Sequence, residues 1–186
     1  AEPRFMVLHQ ANGGHGAAVL NGYRRALELS PEWVFQVDSD GEMPVSAFPL
    51  IWAQRFQAGT VLGRRTGRQT HPLRLALSGL HRLLLGLLFG VKVGDPNIPF
   101  RLMRAGELRR LIGRVPPGLF APNVFLSLLA AKAGTLVDGP EVPMAPRAGG
   151  TPSIRGWRTW ALGVRCAREL IRFRLGGWRH FKGGAQ

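Results

Sequence analysis

Short apolar runs alternate with longer helix-like segments along most of this chain, and this alternation constrains the fold more than any other feature. The runs rich in strand-forming residues cover residues 5–9, 34–38, 60–63, 136–137 and 141–144. The segments predicted to be helical cover residues 16–28, 47–56, 73–91, 105–112 and 123–133. Alternation of this kind predicts an α/β fold, in which helices lie on both faces of a mixed, mostly parallel sheet.

Acidic side chains cluster directly after the second predicted strand. Asp38, Ser39 and Asp40 follow the apolar run 33–37, and Glu42 stands two residues further on. If the chain stays extended, alternation places the three carboxylates on one side, where their oxygens suit Mg²⁺ or Mn²⁺. Ligands of open α/β sheets gather at the carboxyl ends of the strands, where this cluster is predicted to lie. The alternative is a solvated turn, since Asp-Ser-Asp-Gly is also favourable turn sequence.

A glycine-rich loop at residues 12–16 opens the first predicted helix. Asn12 is predicted to cap this helix, and the N–H groups of a helix N-terminus next to Gly14 favour a phosphate group. The loop is neither a Walker A loop nor a G-x-G-x-x-G dinucleotide loop. A tight strand-to-helix turn that binds no ligand is the alternative.

Charged residues also follow the third predicted strand. Arg64, Arg65 and Arg68 lie in a basic loop that either clamps a diphosphate through bidentate contacts or is solvated. Asp95 is the only acidic residue in the segment 43–106. As an isolated carboxylate among arginines it is either an ion-pair partner or a site residue, and the sequence leaves both open.

The chain is strongly basic, with a formal charge of +14 to which arginine contributes most. Arginine suits phosphate groups, whether these belong to nucleic acid, lipid headgroups or nucleotides. In the segment 155–182 eight Arg or Lys residues are interleaved with aromatic residues, and Glu169 is the only acid. This pattern favours a helix at an anionic membrane surface; nucleic-acid binding and a solvated, partly packed helix are the alternatives. The single cysteine, Cys166, excludes an internal disulfide.

Taken in order, these motifs resemble those of the family-two, inverting nucleotide-sugar glycosyltransferases, and in particular the dolichol- or polyprenyl-phosphate sugar transferases. The family pattern contains Asn-x-Gly, Asp-x-Asp and Gly-x-Arg, then Asp with a Phe-Arg pair, Glu-Val-Pro and Arg-x-x-Gly-x-Ser. The matching residues are Asn12-Gly13-Gly14, Asp38-Ser39-Asp40, Gly63-Arg64-Arg65, Asp95 with Phe100-Arg101, Glu141-Val142-Pro143, and the segment 147–153. They occur in the family's order over residues 5–153, which is most of the chain.

The resemblance implies a GT-A-type α/β domain over residues 1–153, truncated so that it lacks the family's N-terminal strand and nucleobase-binding loop. It implies that the basic tail, residues 154–186, lies close to the cytoplasmic face of a membrane. The implied donor is a UDP- or GDP-linked sugar, and the implied acceptor is a polyprenyl phosphate in that membrane. No nucleic acid is expected as a partner. Ile98 and Pro99 stand where many relatives have Ser-Gly, a departure at the predicted acceptor contacts.

Roles for individual residues also follow from the resemblance. The donor-binding residues it implies are Asn12, Gly14, Asp38, Ser39 and Asp40, and the residues it implies for Mg²⁺ or Mn²⁺ are Asp38, Asp40 and Glu42. It places Arg65 and Arg147 near donor or acceptor phosphates. A lipid-phosphate acceptor is already ionised and needs no general base, whereas Asp95 is the candidate base for a hydroxyl acceptor.

Two other classes of protein share some of these features. One is a non-catalytic, arginine-rich module that binds nucleic acid or an anionic membrane, and the other is a pseudoenzyme that binds a nucleotide-sugar without turnover. Asp38 and Asp40 separate the enzyme from the module. The enzyme needs both carboxylates, whereas an anion-binding module binds as well or better without them.

Overall fold

A computed structural model of the protein describes residues 5–66, 72–145 and 157–177. The helices within these residues are α1 (His15–Glu28), α2 (Phe48–Ala53, after a 3-10 turn at Val45–Ala47), α3 (Pro72–Phe89), α4 (Ala105–Ile112), α5 (Pro122–Lys132) and α6 (Trp157–Arg172, continued by a π-helical turn at Phe173–Gly177). The strands are β1 (Trp33–Gln36), β2 (Thr60–Thr66), β3 (Arg101–Arg104) and β4 (Leu136–Pro143). The predicted helices are confirmed to within a few residues at each end.

The four strands form one mixed sheet in the order β1-β3-β2-β4. β3 lies antiparallel to both of its neighbours, with Leu102 opposite Phe35 on one side and Val61 on the other, while β2 and β4 are parallel. The predicted α/β class and mixed sheet are confirmed. Three strands share one direction, but the prediction of mostly parallel pairing is wrong, because the unpredicted strand β3 separates β1 from β2.

Two further strand predictions need correction. Residues 5–9 are not a strand, since they have no neighbouring strand among the described residues and are exposed to solvent, Phe5 by 90%. The two runs predicted at 136–137 and 141–144 form the single strand β4. A shift in register between Leu62 and Arg64 lets β4 continue beside β2 through Gly139, where a Cβ atom would lie only 2.6 Å from Val61 Cγ1.

The hydrophobic core combines buried residues of the sheet with buried residues of all six helices named above. The side chains of α5 are buried from Val124 to Ala130, which explains why this helix is apolar on all sides. Phe173, after α6, packs against Phe125 of α5 and Phe89 of α3, with ring centroids 5.4 Å and 6.2 Å apart. No helix within the described ranges is long and apolar enough to cross a membrane.

The basic tail contributes to this same core. Cys166 and Leu170 of α6 are buried, and burial raises the pKa of the Cys166 thiol to about 12. Glu169 accepts long hydrogen bonds from the backbone N–H of Phe120. The predicted boundary between residues 153 and 154 lies outside the described residues, and the division into two parts stays a prediction.

Candidate functional site

Charged side chains from separate elements meet at one edge of the sheet. β1 and β2 run in the same direction, because each is antiparallel to β3, so their carboxyl ends lie at the same edge. Asp38 follows the end of β1, and Arg65 is the second-last residue of β2. We call the group at this edge the strand-end cluster; it comprises His15, Asp38, Asp40, Glu42, Arg65 and Asp95, which are linked by the interactions described below.

Asp38 is the electrostatic centre of the strand-end cluster. Its carboxyl is half-buried, and burial raises its pKa above the ordinary value. The neighbouring carboxylates of Asp40 and Glu42 act in the same direction, whereas the positive charges of His15 and Arg65 oppose them. Ionised Asp38 is therefore only partly compensated by the protein, and a bound cation would stabilise it.

Arg65 and Asp95 form an ion pair within the cluster. Arg65 Nε lies 2.9 Å from Asp95 Oδ2, and both side chains are largely shielded from solvent. The contact does not have hydrogen-bond geometry, so this buried Nε–H lacks an acceptor among the described residues. Arg64 lies on the other side of β2, as alternation requires, and pairs with Glu141 at 3.4 Å. The prediction of a loop at Arg64 and Arg65 is wrong, because both residues belong to β2, and of the two only Arg65 reaches the cluster.

A fully buried arginine, Arg101, stabilises the segment that carries Asp95. Arg101, the first residue of β3, donates hydrogen bonds from Nε and Nη2 to the carbonyl oxygen of Ile98, at 2.9 Å and 2.8 Å. It also donates from Nη2 to Pro96 O at 3.1 Å and from Nη1 to Asn123 O at 3.2 Å. Burial lowers the pKa of Arg101, and the nearby Asp95 carboxylate opposes this effect. The guanidinium thus holds the irregular segment 95–100 against α5.

A second buried polar group connects α1 to the sheet. The hydroxyl of Tyr23 contacts Gln36 Oε1 at the end of β1 and lies 3.3 Å from Asn123 Oδ1 of α5. Burial raises the pKa of Tyr23, so the phenol stays protonated at neutral pH. These contacts fix α1 relative to the strand that carries Asp38.

The N-terminus of α1 lies next to the cluster through His15, which is exposed and is the first residue of the helix. The prediction that Asn12 caps this helix is wrong, because Gly14 is the N-cap residue, with φ of 83°, and no side chain caps the helix among the described residues. Asn12 Oδ1 instead accepts a hydrogen bond from Gly14 N–H, which forms an Asx turn before the helix. The first N–H groups of α1 therefore have no side-chain acceptor within the described part of the chain, and they can bind an anion.

Gly16 allows the start of α1 to pack closely against the backbone of Leu119 and Phe120. A Cβ atom on Gly16 would lie 2.1 Å from Leu119 O and 2.9 Å from Phe120 O, whereas one on Gly22 of the same helix would meet nothing within 4 Å. We expect Gly16→Ala to lower the free energy of unfolding by about 2–3 kcal/mol, because the backbone must move apart. Gly22→Ala is the matched control and should raise it by about 0.5–1 kcal/mol. Urea unfolding monitored by circular dichroism measures both, and equal effects of the two changes would contradict the packing described here.

The acidic residues form a looser group than alternation predicts. The strand ends at Gln36, residues 39–40 form a turn, and Asp40 Oδ1 accepts a hydrogen bond from the backbone N–H of Glu42 at 3.1 Å. Because the chain is no longer extended here, alternation does not set the directions of the three carboxylates, and a metal site made of Asp38, Asp40 and Glu42 stays a prediction. No group of three His, Cys, Asp or Glu side chains within the described ranges is arranged to hold a metal ion.

Two carboxylates still fit a divalent cation that a diphosphate also binds. Mg²⁺ commonly takes one or two carboxylates and completes its coordination with water and substrate phosphates. Asp38 and Asp40 supply hard oxygen ligands, and their carboxylates lie close enough to act on each other electrostatically. Ser39, between them, is exposed. The assignment of Mg²⁺ or Mn²⁺ to this pair stays a prediction.

No protein-family model and no curated protein matches this chain. The likeness to the glycosyltransferases therefore rests on the motifs quoted above, and the family stays a prediction. The predicted phosphate ligand Arg147 lies outside the described residues, as does Arg68. His15 and the buried Arg101 were not predicted as site residues, although Arg101 stands in the Phe-Arg pair of the resemblance.

Proposed function

We propose that this protein transfers a sugar from a UDP- or GDP-linked donor to a polyprenyl phosphate at a membrane surface, with the help of Mg²⁺ or Mn²⁺. The observation that carries the proposal is the meeting of Asp38, Asp40, Arg65 and Asp95 at one edge of the sheet, beside the uncapped N-terminus of α1. Carboxylates for a metal ion, an arginine for phosphate oxygens and free backbone N–H groups are the three parts that a diphosphate site requires.

Each part has a role in this proposal. Asp38 and Asp40 hold the cation, which when bound neutralises charge on the departing nucleoside diphosphate. Arg65 binds a phosphate oxygen of the donor, since its guanidinium lies in the strand-end cluster and its side chain remains 20% exposed beside Asp95. The loop at Asn12 and Gly14 offers the first N–H groups of α1 to the same diphosphate.

Asp95 has a positioning role in this scheme. Its contact with Arg65 fixes the guanidinium, and Arg101 in turn fixes the segment that carries Asp95. With a phosphate acceptor, whose oxygen is ionised near pH 7, no proton needs to be removed, and positioning together with electrostatics supplies the rate. Asp95 becomes the base only if the acceptor is a hydroxyl.

Thermal unfolding with UDP or GDP, with and without Mn²⁺, tests the donor site. A ligand at about 100 times its Kd stabilises a protein by about 2.7 kcal/mol, which for a domain of this size raises Tm by about 5–10 °C. We expect this shift with one of the two nucleotides and only when Mn²⁺ is present. Asp38→Asn/Asp40→Asn should abolish it, whereas the matched control Asp138→Asn/Glu141→Gln, with the same change in net charge, should retain it.

The other outcomes of this experiment have distinct meanings. A shift that is independent of Mn²⁺ and unchanged or larger in Asp38→Asn/Asp40→Asn would contradict the proposal and favour the arginine-rich anion-binding module. A Mn²⁺-dependent shift without release of nucleoside diphosphate, when a nucleotide-sugar and a polyprenyl phosphate are supplied, would identify a pseudoenzyme. The absence of any shift would remove the support for a donor site in this chain.

A further inference from the structure

Helices α3 and α6 pack side by side, and each presents one side to the core. His81 Nε2 of α3 lies 3.1 Å from Gly163 O of α6, and Arg174 Nε, in the turn after α6, donates to Leu88 O at 2.7 Å. These two contacts define the seam between the helices. On the inner side of the seam, buried residues from both helices join the core, namely Leu85, Phe89, Cys166, Leu170 and Phe173.

The outer side of the same seam is also apolar. Leu83 and Leu87 lie one turn apart on α3, opposite its buried residues. Trp160 and Ile171 lie three turns apart on one stripe of α6, and Leu175 continues that stripe in the turn that follows. The five side chains are 41–74% exposed. We call them the docking face.

The two stripes of the docking face adjoin each other. Around the axis of α6, the line of contact with α3 lies between two groups of side chains. The buried Cys166 and Leu170 are on one side of it, and the exposed stripe is on the other. On α3 the half-buried Leu80 and Leu84 lie between the exposed stripe and α6. The docking face is thus an apolar surface to which two neighbouring helices contribute, and contiguous exposed apolar residues of this kind mark interaction sites.

The charges around the docking face are positive. Arg168 and Arg172 are exposed beside the α6 stripe, and neither has a carboxylate partner among the described residues. α3 contains no acidic residue. The only acidic residue of α6, Glu169, is turned away from this surface, since it pairs with Arg165 at 2.9 Å and accepts hydrogen bonds from Phe120 N.

We propose that the docking face binds the surface of a bilayer that contains anionic lipids. Its leucines and Trp160 enter the region between headgroups and acyl chains, while Arg168 and Arg172 contact lipid phosphates. The uncompensated positive charge favours an anionic bilayer over a second copy of this basic chain. The choice of a bilayer rather than a protein partner rests on the proposed function, because a polyprenyl phosphate acceptor lies in a bilayer.

Binding to sedimented vesicles of mixed phosphatidylglycerol and phosphatidylcholine tests the docking face. We expect Leu87→Glu/Leu175→Glu to reduce the partition coefficient by about tenfold or more, because two exposed leucines no longer enter the bilayer. The matched control is Leu29→Glu/Leu50→Glu, which alters leucines of 52–54% exposure elsewhere and changes the net charge equally. It should reduce binding by less than about threefold, from charge alone. Binding should also weaken in pure phosphatidylcholine and at high salt.

The results separate the docking face from the donor site. Equal loss in the two double variants, or equal binding to both kinds of vesicle, would overturn the proposal. The proposal would also be overturned if the wild type self-associates and Leu87→Glu/Leu175→Glu makes it monomeric without changing its binding to vesicles. Thermal shifts with nucleotide and Mn²⁺ should be the same in both variants as in the wild type. If the wild type shows no thermal shift with nucleotide and Mn²⁺, this result would count against the proposed transferase, whereas the vesicle binding would still test the docking face independently.

Discussion

Arg101→Met is expected to lower the free energy of unfolding by about 3 kcal/mol, because it removes the donor that three buried carbonyl groups share. Ile98 O, Pro96 O and Asn123 O accept four hydrogen bonds from this guanidinium. Each buried acceptor left without a donor costs about 1–3 kcal/mol. Two effects reduce the total, since methionine is not charged and Ser127 Oγ still donates to Pro96 O at 2.8 Å.

The next arginine on the same strand is the matched control for Arg101. Arg104 is exposed at the other end of β3, and Arg104→Met is expected to change the free energy of unfolding by less than about 0.5 kcal/mol. Urea unfolding of both variants measures the difference. If Arg101→Met were as stable as Arg104→Met, the segment 95–100 would be held by apolar packing rather than by the guanidinium.

The sequence predicts the elements better than it predicts their arrangement. Helices such as α4, over residues 105–112, follow from periodicity that is visible within the segment itself. The strand β3 was missed because only two apolar residues, Leu102 and Met103, stand between two arginines. Arg101 can be buried there because its acceptors come from the preceding loop and from α5, and local sequence contains no signal for such distant partners.

The candidate site shows the same division between local and distant causes. Asp38 and Arg65 were each predicted from a strand followed by charged residues. Asp38 does follow β1, whereas β2 continues through the predicted loop and includes Arg65. Their approach depends on the strand order, which makes β1 and β2 share a direction. The prediction that alternation turns Asp38, Asp40 and Glu42 the same way assumed an extended chain where the structure has a turn.

Arg65→Met is expected to weaken the binding of the nucleoside diphosphate by about 10–100-fold in the presence of Mn²⁺. A charge-assisted hydrogen bond between arginine and a phosphate contributes about 1.5–3 kcal/mol, and about 1.4 kcal/mol corresponds to a factor of ten in Kd. Titration calorimetry with the nucleotide that gives the thermal shift measures the effect. The corresponding nucleoside monophosphate should lose less affinity, since it offers fewer phosphate oxygens to Arg65.

Arg64→Met is the matched control, because it removes the same charge from the neighbouring residue. Arg64 lies on the other side of β2, donates to Gly139 O at 3.2 Å and pairs with Glu141, so the proposed diphosphate site does not use it. Its replacement should change Kd by less than about threefold, as expected for a screened surface charge. Equal losses in Arg64→Met and Arg65→Met would show that the nucleotide responds only to total positive charge. The protein would then bind anions through its arginine-rich surface, and Arg65 would have no particular role at the strand-end cluster.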